Sequence, residues 1–170
     1  MVDIATLSRT ELLKKLKVED LMTREVLTID YDDLIGKAAR LMIENHVHSL
    51  LVLKYGKPTY MVSTYDLIRV SYEEAFNETN ADMLRTPVES LVKGQNLVSV
   101  STDTSLLDVL SLYVQYSIHS LPVIDDGNVM GILTLMDLAT WYKKTHESFH
   151  LHTDAPFWPD GSDADISRER

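Results

Sequence analysis

The chain has 170 residues, no cysteine and a net charge of −10 at neutral pH. That length fits one ordinary domain or two small ones, the missing thiols exclude disulfides and thiolate metal sites, and the acidic balance argues against nucleic acid and anionic membrane surfaces. No apolar run approaches the ~20 residues of a membrane span, and the start Met1-Val2-Asp3-Ile4 lacks the basic and apolar stretches of a signal peptide, so a soluble cytoplasmic protein is expected.

Thr10 to Lys17 reads as a short helix with Leu12, Leu13 and Leu16 on one face. Val18 to Met22 forms a second short turn and Val26 to Ile29 a strand. Asp32 or Asp33 is placed to cap a helix reaching about Asn45, with Ile35, Ala38, Ala39 and Met42 inward. Strands follow at Ser49 to Leu53 and Thr59 to Val62, with Pro58 loosening the turn between them, and then a helix from Thr64 to about Phe76. Asn77 to Thr86 is a polar connector. The same series then returns: Val88 to Val92, a strand at Leu97 to Val100, a helix from near Asp103, strands Ser120 to Ile124 and Val129 to Leu133 around an Asp-Gly turn, and a helix from Leu135 to about Thr145. From Phe149 onward periodicity is lost and an irregular tail is expected. His146, His150 and His152 there form a weak ligand set without cysteine or a fixed frame, so no metal site is expected. Trp141, Phe149, Phe157 and Trp158 fit either an interface or a fold-back of the tail.

The recurrence has a constant spacing. Val47-His48-Ser49-Leu50-Leu51-Val52 returns as Ile118-His119-Ser120-Leu121-Pro122-Val123, and Met61-Val62-Ser63-Thr64-Tyr65-Asp66-Leu67 as Ile132-Leu133-Thr134-Leu135-Met136-Asp137-Leu138, both at an offset of 71. Between Val18 and Val88 the offset is 70, so one residue is inserted before the first strand of the second copy. Such self-similarity means one β-α-β-β-α unit built twice, with copies at 10–78 and 79–147 and a tail at 148–170. Each copy is near the lower size limit for folding alone, so the two should share a core.

The repeated polar pair Ser63/Asp66 and Thr134/Asp137 opens a helix directly after a strand. One reading is a helix cap, with the hydroxyl at the first position and the acid three residues on. The other uses the same geometry for a ligand. The helix amino terminus and hydroxyl would meet a phosphate, and the acid would accept from the two hydroxyls of a ribose.

These features together resemble a tandem CBS-domain (cystathionine-β-synthase domain) pair, or Bateman module, over about Thr10 to Lys144. The resemblance implies an α/β (α+β) fold of two pseudo-symmetric repeats packed sheet to sheet. It implies an adenosine ligand (AMP, ADP, ATP or S-adenosylmethionine) between them, a homodimer, a separate effector protein and no catalysis. By the same resemblance Asp66 and Asp137 are the ribose acids, Ser63 and Thr134 the phosphate-side hydroxyls, and Thr28 and Ser99 line the adenine and ribose. Pro122 matches a Leu-Pro-Val strand from which Leu51 departs, and Tyr60 in place of Gly131 is expected to narrow the first cleft. His48 and His119 stand where the family often has a basic phosphate contact; the other reading is that each closes the preceding helix. Arg40 and Arg69 are further candidates to counter phosphate. A ligand-free scaffold that dimerises and docks a partner is the alternative, with both pairs acting as caps only.

Overall fold

The computed structural model describes residues 9–76, 82–92, 94 and 96–147. Helix α1 (Arg9–Lys15) leads to a single 3-10 turn at Val18–Asp20. Strand β1 (Thr28–Asp30), helix α2 (Ile35–Glu44), strands β2 (Ser49–Lys54) and β3 (Lys57–Ser63) and helix α3 (Thr64–Phe76) complete the first copy. After a 3-10 turn at Met83–Arg85 come α4 (Glu89–Val92), α5 (Leu106–Tyr116), β4 (Ser120–Asp125), β5 (Asn128–Thr134) and α6 (Leu135–Glu147). The tail from 148 onward, with its histidines and aromatics, lies outside the described residues. Among the described residues no helix is long and apolar enough to cross a membrane. The chain divides into a unit running to Leu138 and a second from Ala139; in the second, α6 continues and the Thr145 hydroxyl donates back to the Trp141 carbonyl at 3.0 Å.

β2 pairs with β1 in parallel and with β3 antiparallel, while β4 pairs antiparallel with β5. The two hairpins are alike in detail. Each has a two-residue loop, Tyr55-Gly56 or Asp126-Gly127, with both residues at positive φ, the conformation that matches strand twist. Each shifts register at the same place, between Val52 and Leu53 or Val123 and Ile124. Pro58 therefore does not loosen the first turn; it sits in β3 opposite Leu53, at the bulge where a missing N–H is tolerated.

The expected strand Leu97 to Val100 is reduced to one parallel bridge, Val100 with Val123, and Pro122 is the reason. In the first copy the Leu51 N–H donates to the Leu27 carbonyl at 3.1 Å. Pro122 stands in the place of Leu51 and has no N–H to give. What survives is Val100 N–H to the Pro122 carbonyl at 3.1 Å and Ile124 N–H to the Val100 carbonyl at 2.8 Å.

Neither Asp32 nor Asp33 caps α2. Leu34 is the residue before α2 and makes no side-chain cap; Asp33 instead binds Lys37 Nζ at 2.6 Å. Ser105, two residues beyond Asp103, caps α5 by accepting from the Asp108 N–H at 3.2 Å. Asp33 and Asp103 are drawn into turns that precede the helices, where Asp30 N–H and the Ser101 hydroxyl reach them.

The copies exchange their leading segments. Val88 N–H donates to Asp33 O at 2.8 Å, Glu89 N–H to Tyr31 O at 2.9 Å, and Ile35 N–H to Thr86 O at 2.9 Å. The corresponding residues repeat this in reverse: Val18 N–H to Thr104 O at 3.0 Å, Glu19 N–H to Thr102 O at 3.1 Å, and Leu106 N–H to Leu16 O at 2.9 Å. Val88, Leu91 and Val92 thus pack into the first copy's core with Ile29, Ile35, Leu50 and Val62. The pseudo-twofold axis is marked by Ser49, whose hydroxyl lies 2.8 Å from that of its own counterpart, Ser120.

Val88 is fully buried in that core. Val88→Ala is expected to lower the unfolding free energy by about 2 kcal/mol while keeping a single transition in urea followed by far-UV circular dichroism. Two separated transitions would contradict a core shared between the copies.

Candidate functional site

Both polar pairs form at the same structural point. β3 and β5 end at Ser63 and Thr134, which lie opposite Ser49 and Ser120 in their ladders. Because Ser49 and Ser120 touch, the two pairs flank the pseudo-twofold axis. The first helical N–H of α3, from Thr64, is taken by the His48 carbonyl at 2.9 Å, and that of α6, from Leu135, by the His119 carbonyl at 3.1 Å. The histidines thus act here through their backbone, with exposed side chains. They do not close the preceding helices. His46 and Ser117, at φ 54 and 52, do that.

Each acid reaches back to its hydroxyl residue. Asp66 Oδ2 accepts from the Ser63 N–H at 2.9 Å and the Ser63 hydroxyl at 2.7 Å. Asp137 Oδ2 accepts from the Thr134 N–H at 2.7 Å and the Thr134 hydroxyl at 2.6 Å. Asp137 N–H in turn donates to Thr134 Oγ1 at 3.2 Å, completing a capping box. In both copies the acid thus returns to the strand-to-helix junction, with the reciprocal bond present in the second, and this consumes one carboxylate oxygen of each acid.

The other oxygen distinguishes the copies. Asp66 is 8% exposed, and its Oδ1 faces Arg69 Nη2 at 3.7 Å, an ion pair too long for a hydrogen bond. Arg69 also reaches the Leu91 carbonyl at 3.4 Å and Glu73 at 3.7 Å. Asp137 is half-buried, and its Oδ1 accepts from the Thr23 hydroxyl at 3.0 Å. A carboxylate offers about four lone-pair positions. Among the described residues these bonds leave Asp66 Oδ1 both of its positions for a further donor, and Asp137 Oδ1 one.

Thr23 is the residue that the sequence reading missed. It belongs to the first copy's leading segment but docks on the second copy's β5, with reciprocal backbone bonds to Ile132 at 2.9 and 2.8 Å. Gly131 makes this approach possible: a Cβ there would stand 2.7 Å from the Thr23 carbonyl oxygen and 2.8 Å from the Met22 sulfur. The room beside Gly131 is filled by Met22 and Thr23, and its counterpart Tyr60 packs partly buried against the first copy's core. One signal was present. The repeat offset changes from 71 to 70 in this leading segment, marking it as the place where the copies differ.

Thr28 and Ser99 are exposed, and Pro122 is buried in β4. Arg40 lines a separate open hollow of about 400 Å³ with Asp33, Leu34, Gly36, Lys37 and Leu84; neither acid takes part in it. Beneath the second pair, the Tyr113 hydroxyl donates to the Leu133 carbonyl at 2.6 Å. Burial first, and the charge of Asp137 second, raise its pKa well above the ordinary 10.0.

Two measurements follow. Gly131→Ala is expected to destabilise the fold by roughly 1–3 kcal/mol through forced displacement of Thr23, read as a lower urea midpoint. Tyr113 favours its neutral form when folded, so its contribution is full below about pH 10 and lost as pH rises beyond it. Tyr113→Phe should cost about 1 kcal/mol at neutral pH, the loss of one buried hydrogen bond to the Leu133 carbonyl. It should also flatten the loss of stability above about pH 10, measured by denaturation across an alkaline series.

A family model described as CBS domain matches residues 18–73 and again 88–144. The CBS domain-containing protein YhcV of Bacillus subtilis is 33% identical over 123 residues, covering 72% of this chain and 82% of that protein. Protein MJ1404 of Methanocaldococcus jannaschii is 29% identical over 143 residues; the match covers 79% of this chain but only 34% of MJ1404, so the chain spans about a third of that relative. Among solved structures, the CBS domain pair of protein MJ0100, in complex with 5′-methylthioadenosine and S-adenosyl-L-methionine, superposes with a TM-score of 0.63 at 21% identity. That match covers 76% of this chain and 98% of the pair, and it shows a shared fold.

Proposed function

We propose, from the premise that this chain belongs to the CBS-domain family, that it is a non-catalytic regulatory module binding an adenosine-containing ligand between its two copies. In this reading it senses energy or metabolite state as a homodimer and passes occupancy to a separate effector protein. The observation that carries the proposal is the pair of Asp carboxylates at equivalent helix starts, each with Oδ2 fixed by its cap and Oδ1 keeping acceptor capacity. A cap that holds one oxygen pre-orients the other, and a ribose diol asks for acceptors in a fixed place. Ser63 and Thr134 serve the phosphate side, Thr28 and Ser99 the base side, and the exposed His48 and His119 are further phosphate contacts in this reading.

The acceptor count favours the Asp66 site, where Arg69 adds a cation within reach of a phosphate. With one guanidinium beside the acids, AMP or ADP suits the chain better than ATP. The sulfonium of S-adenosylmethionine needs no phosphate site, and the ligands bound by the MJ0100 pair make it a direct competitor.

A thermal-shift panel of AMP, ADP, ATP, S-adenosylmethionine and adenosine tests this. A ligand at 100 times its Kd should add about 2.7 kcal/mol of stability. Asp66→Ala and Asp137→Ala should each lower affinity at least tenfold by calorimetry, a loss of about 1.4 kcal/mol. The second reading, a ligand-free docking scaffold, draws on the same bonds: both acids are already engaged as caps. It predicts no shift with any of the five compounds and only a capping loss of about 1 kcal/mol in either variant.

A further inference from the structure

The amino-terminal turn of helix α2 breaks three local rules at once. Leu34 stands at the cap position and makes no side-chain cap, although serine, threonine, asparagine or aspartate stabilises that place better. Gly36 follows inside the first turn, and glycine is a poor helix former. Lys37 sets a positive charge at the positive end of the helix, where Asp33 offsets it at 2.6 Å. The second copy breaks none of these rules. Its corresponding residues are Ser105, Leu107 and Asp108, and Ser105 caps α5. The repeat fold therefore does not require Leu34, Gly36 and Lys37. Local rules are mostly given up where a surface has a task.

All three residues meet at one place. With Arg40 and Leu84 they line the open hollow of about 400 Å³ beside α2. Leu34 and Leu84 are 45 and 49% exposed there. Gly36 lets the Leu84 turn come close, because a Cβ on it would stand 3.1 Å from the Leu84 carbonyl oxygen. Lys37 and Arg40 are three residues apart and so share one side of the helix. Asp33 holds Lys37, whereas the exposed Arg40 has no ion pair among the described residues. In the second copy Ser111 takes the place of Arg40.

The hollow is thus an apolar floor with a cationic rim, in a chain of 26 acidic and 16 basic residues. Its size matches a small-molecule site, but such sites enclose most of their ligand and this one lies open. One or two apolar side chains carried on a protein segment suit it better, and a carboxylate beside them can meet the Arg40 guanidinium with two parallel hydrogen bonds. Nucleic acids and anionic membranes present long runs of negative charge, which the overall charge of −10 repels. A short acidic segment meets only the local cations.

We propose that this hollow docks a short segment of a partner protein in which one or two leucine-sized side chains stand next to acidic residues. The proposal rests on the effector clause of the proposed function and names the chemistry of that partner; it does not depend on the adenosine ligand. Nitrogen-15 NMR of the full chain tests it, with short synthetic peptides that share a Leu-Leu centre and differ in their flanks: aspartate and glutamate, serine and glutamine, or lysine. The acidic peptides are expected to shift the Gly36, Lys37, Arg40 and Leu84 amides saturably, with a Kd below about 1 mM. The neutral and lysine peptides should bind at least tenfold more weakly. Arg40→Glu should weaken the acidic peptides at least tenfold, and Lys37→Glu combined with Arg40→Glu should transfer the preference to the lysine peptides. Leu34→Ser should weaken the acidic peptides at least tenfold while holding or raising the urea midpoint, since it installs the cap residue of the second copy. Far-UV circular dichroism checks the fold of each variant, and the comparison among peptides on the wild-type chain stands without any of them. No saturable shift with the acidic peptides, equal binding of the neutral ones, or a Leu34→Ser chain that loses stability overturns the proposal. Inorganic phosphate shifting the same amides as strongly overturns it too, because the hollow would then be a simple anion site. So does a change in sedimentation on Arg40→Glu, which would assign this face to a second copy. Acidic peptides bound by a chain that takes no adenosine compound keep this inference and remove the sensor reading; the reverse result keeps the sensor reading and removes this one.

Discussion

The exchange of leading segments is the constraint on which the remaining structure depends. Each copy alone would leave the start of its α2 or α5 without a partner and its core without one wall. The other copy's segment supplies both: Thr86 and Leu16 accept from Ile35 and Leu106, and Val88 and Val18 are fully buried. A unit of this size has too little interior to be stable alone, so the exchange makes the pair the folding unit. It also carries Thr23 of one copy to the acid of the other. The polar sites are thus products of the same crossing that completes the cores.

In the two acids, stability and the proposed recognition draw on one arrangement. A cap needs an acceptor aimed at the strand-to-helix junction, and Oδ2 of each acid provides it. Fixing that oxygen removes rotational freedom from the carboxylate, which leaves Oδ1 in a set position. The cap reading and the ligand reading of Ser/Thr-x-x-Asp are therefore compatible, because they use different atoms of one group.

The two copies share one fold and diverge at single residues whose effects are backbone effects. Pro122 withholds an N–H that Leu51 supplies, and a strand shrinks to a bridge. Gly131 withholds a Cβ that Tyr60 carries, and a neighbouring segment docks against the second sheet. The second divergence reaches the site directly, since the docked segment places a hydroxyl on Asp137, whereas Asp66 faces a guanidinium instead. Duplicated positions in this chain therefore do not make duplicate environments.

The amino-acid order by itself determined the duplication, most of the element types, the second hairpin with its Asp-Gly turn and the polar pairs at the starts of α3 and α6. All of these depend on short-range rules: apolar period, an Asp-Gly turn, and a hydroxyl three residues before an acid. Helix starts were misplaced where a turn claimed the expected cap, as Asp33 shows by binding Lys37. Tertiary structure alone decided which segment packs on which copy, that Gly131 makes room for Thr23, and that Arg69 and Thr23 stand beside different acids. Those outcomes arise between residues as much as 114 positions apart. No local preference encodes such a distance; only the joint burial of two incomplete cores brings those atoms together.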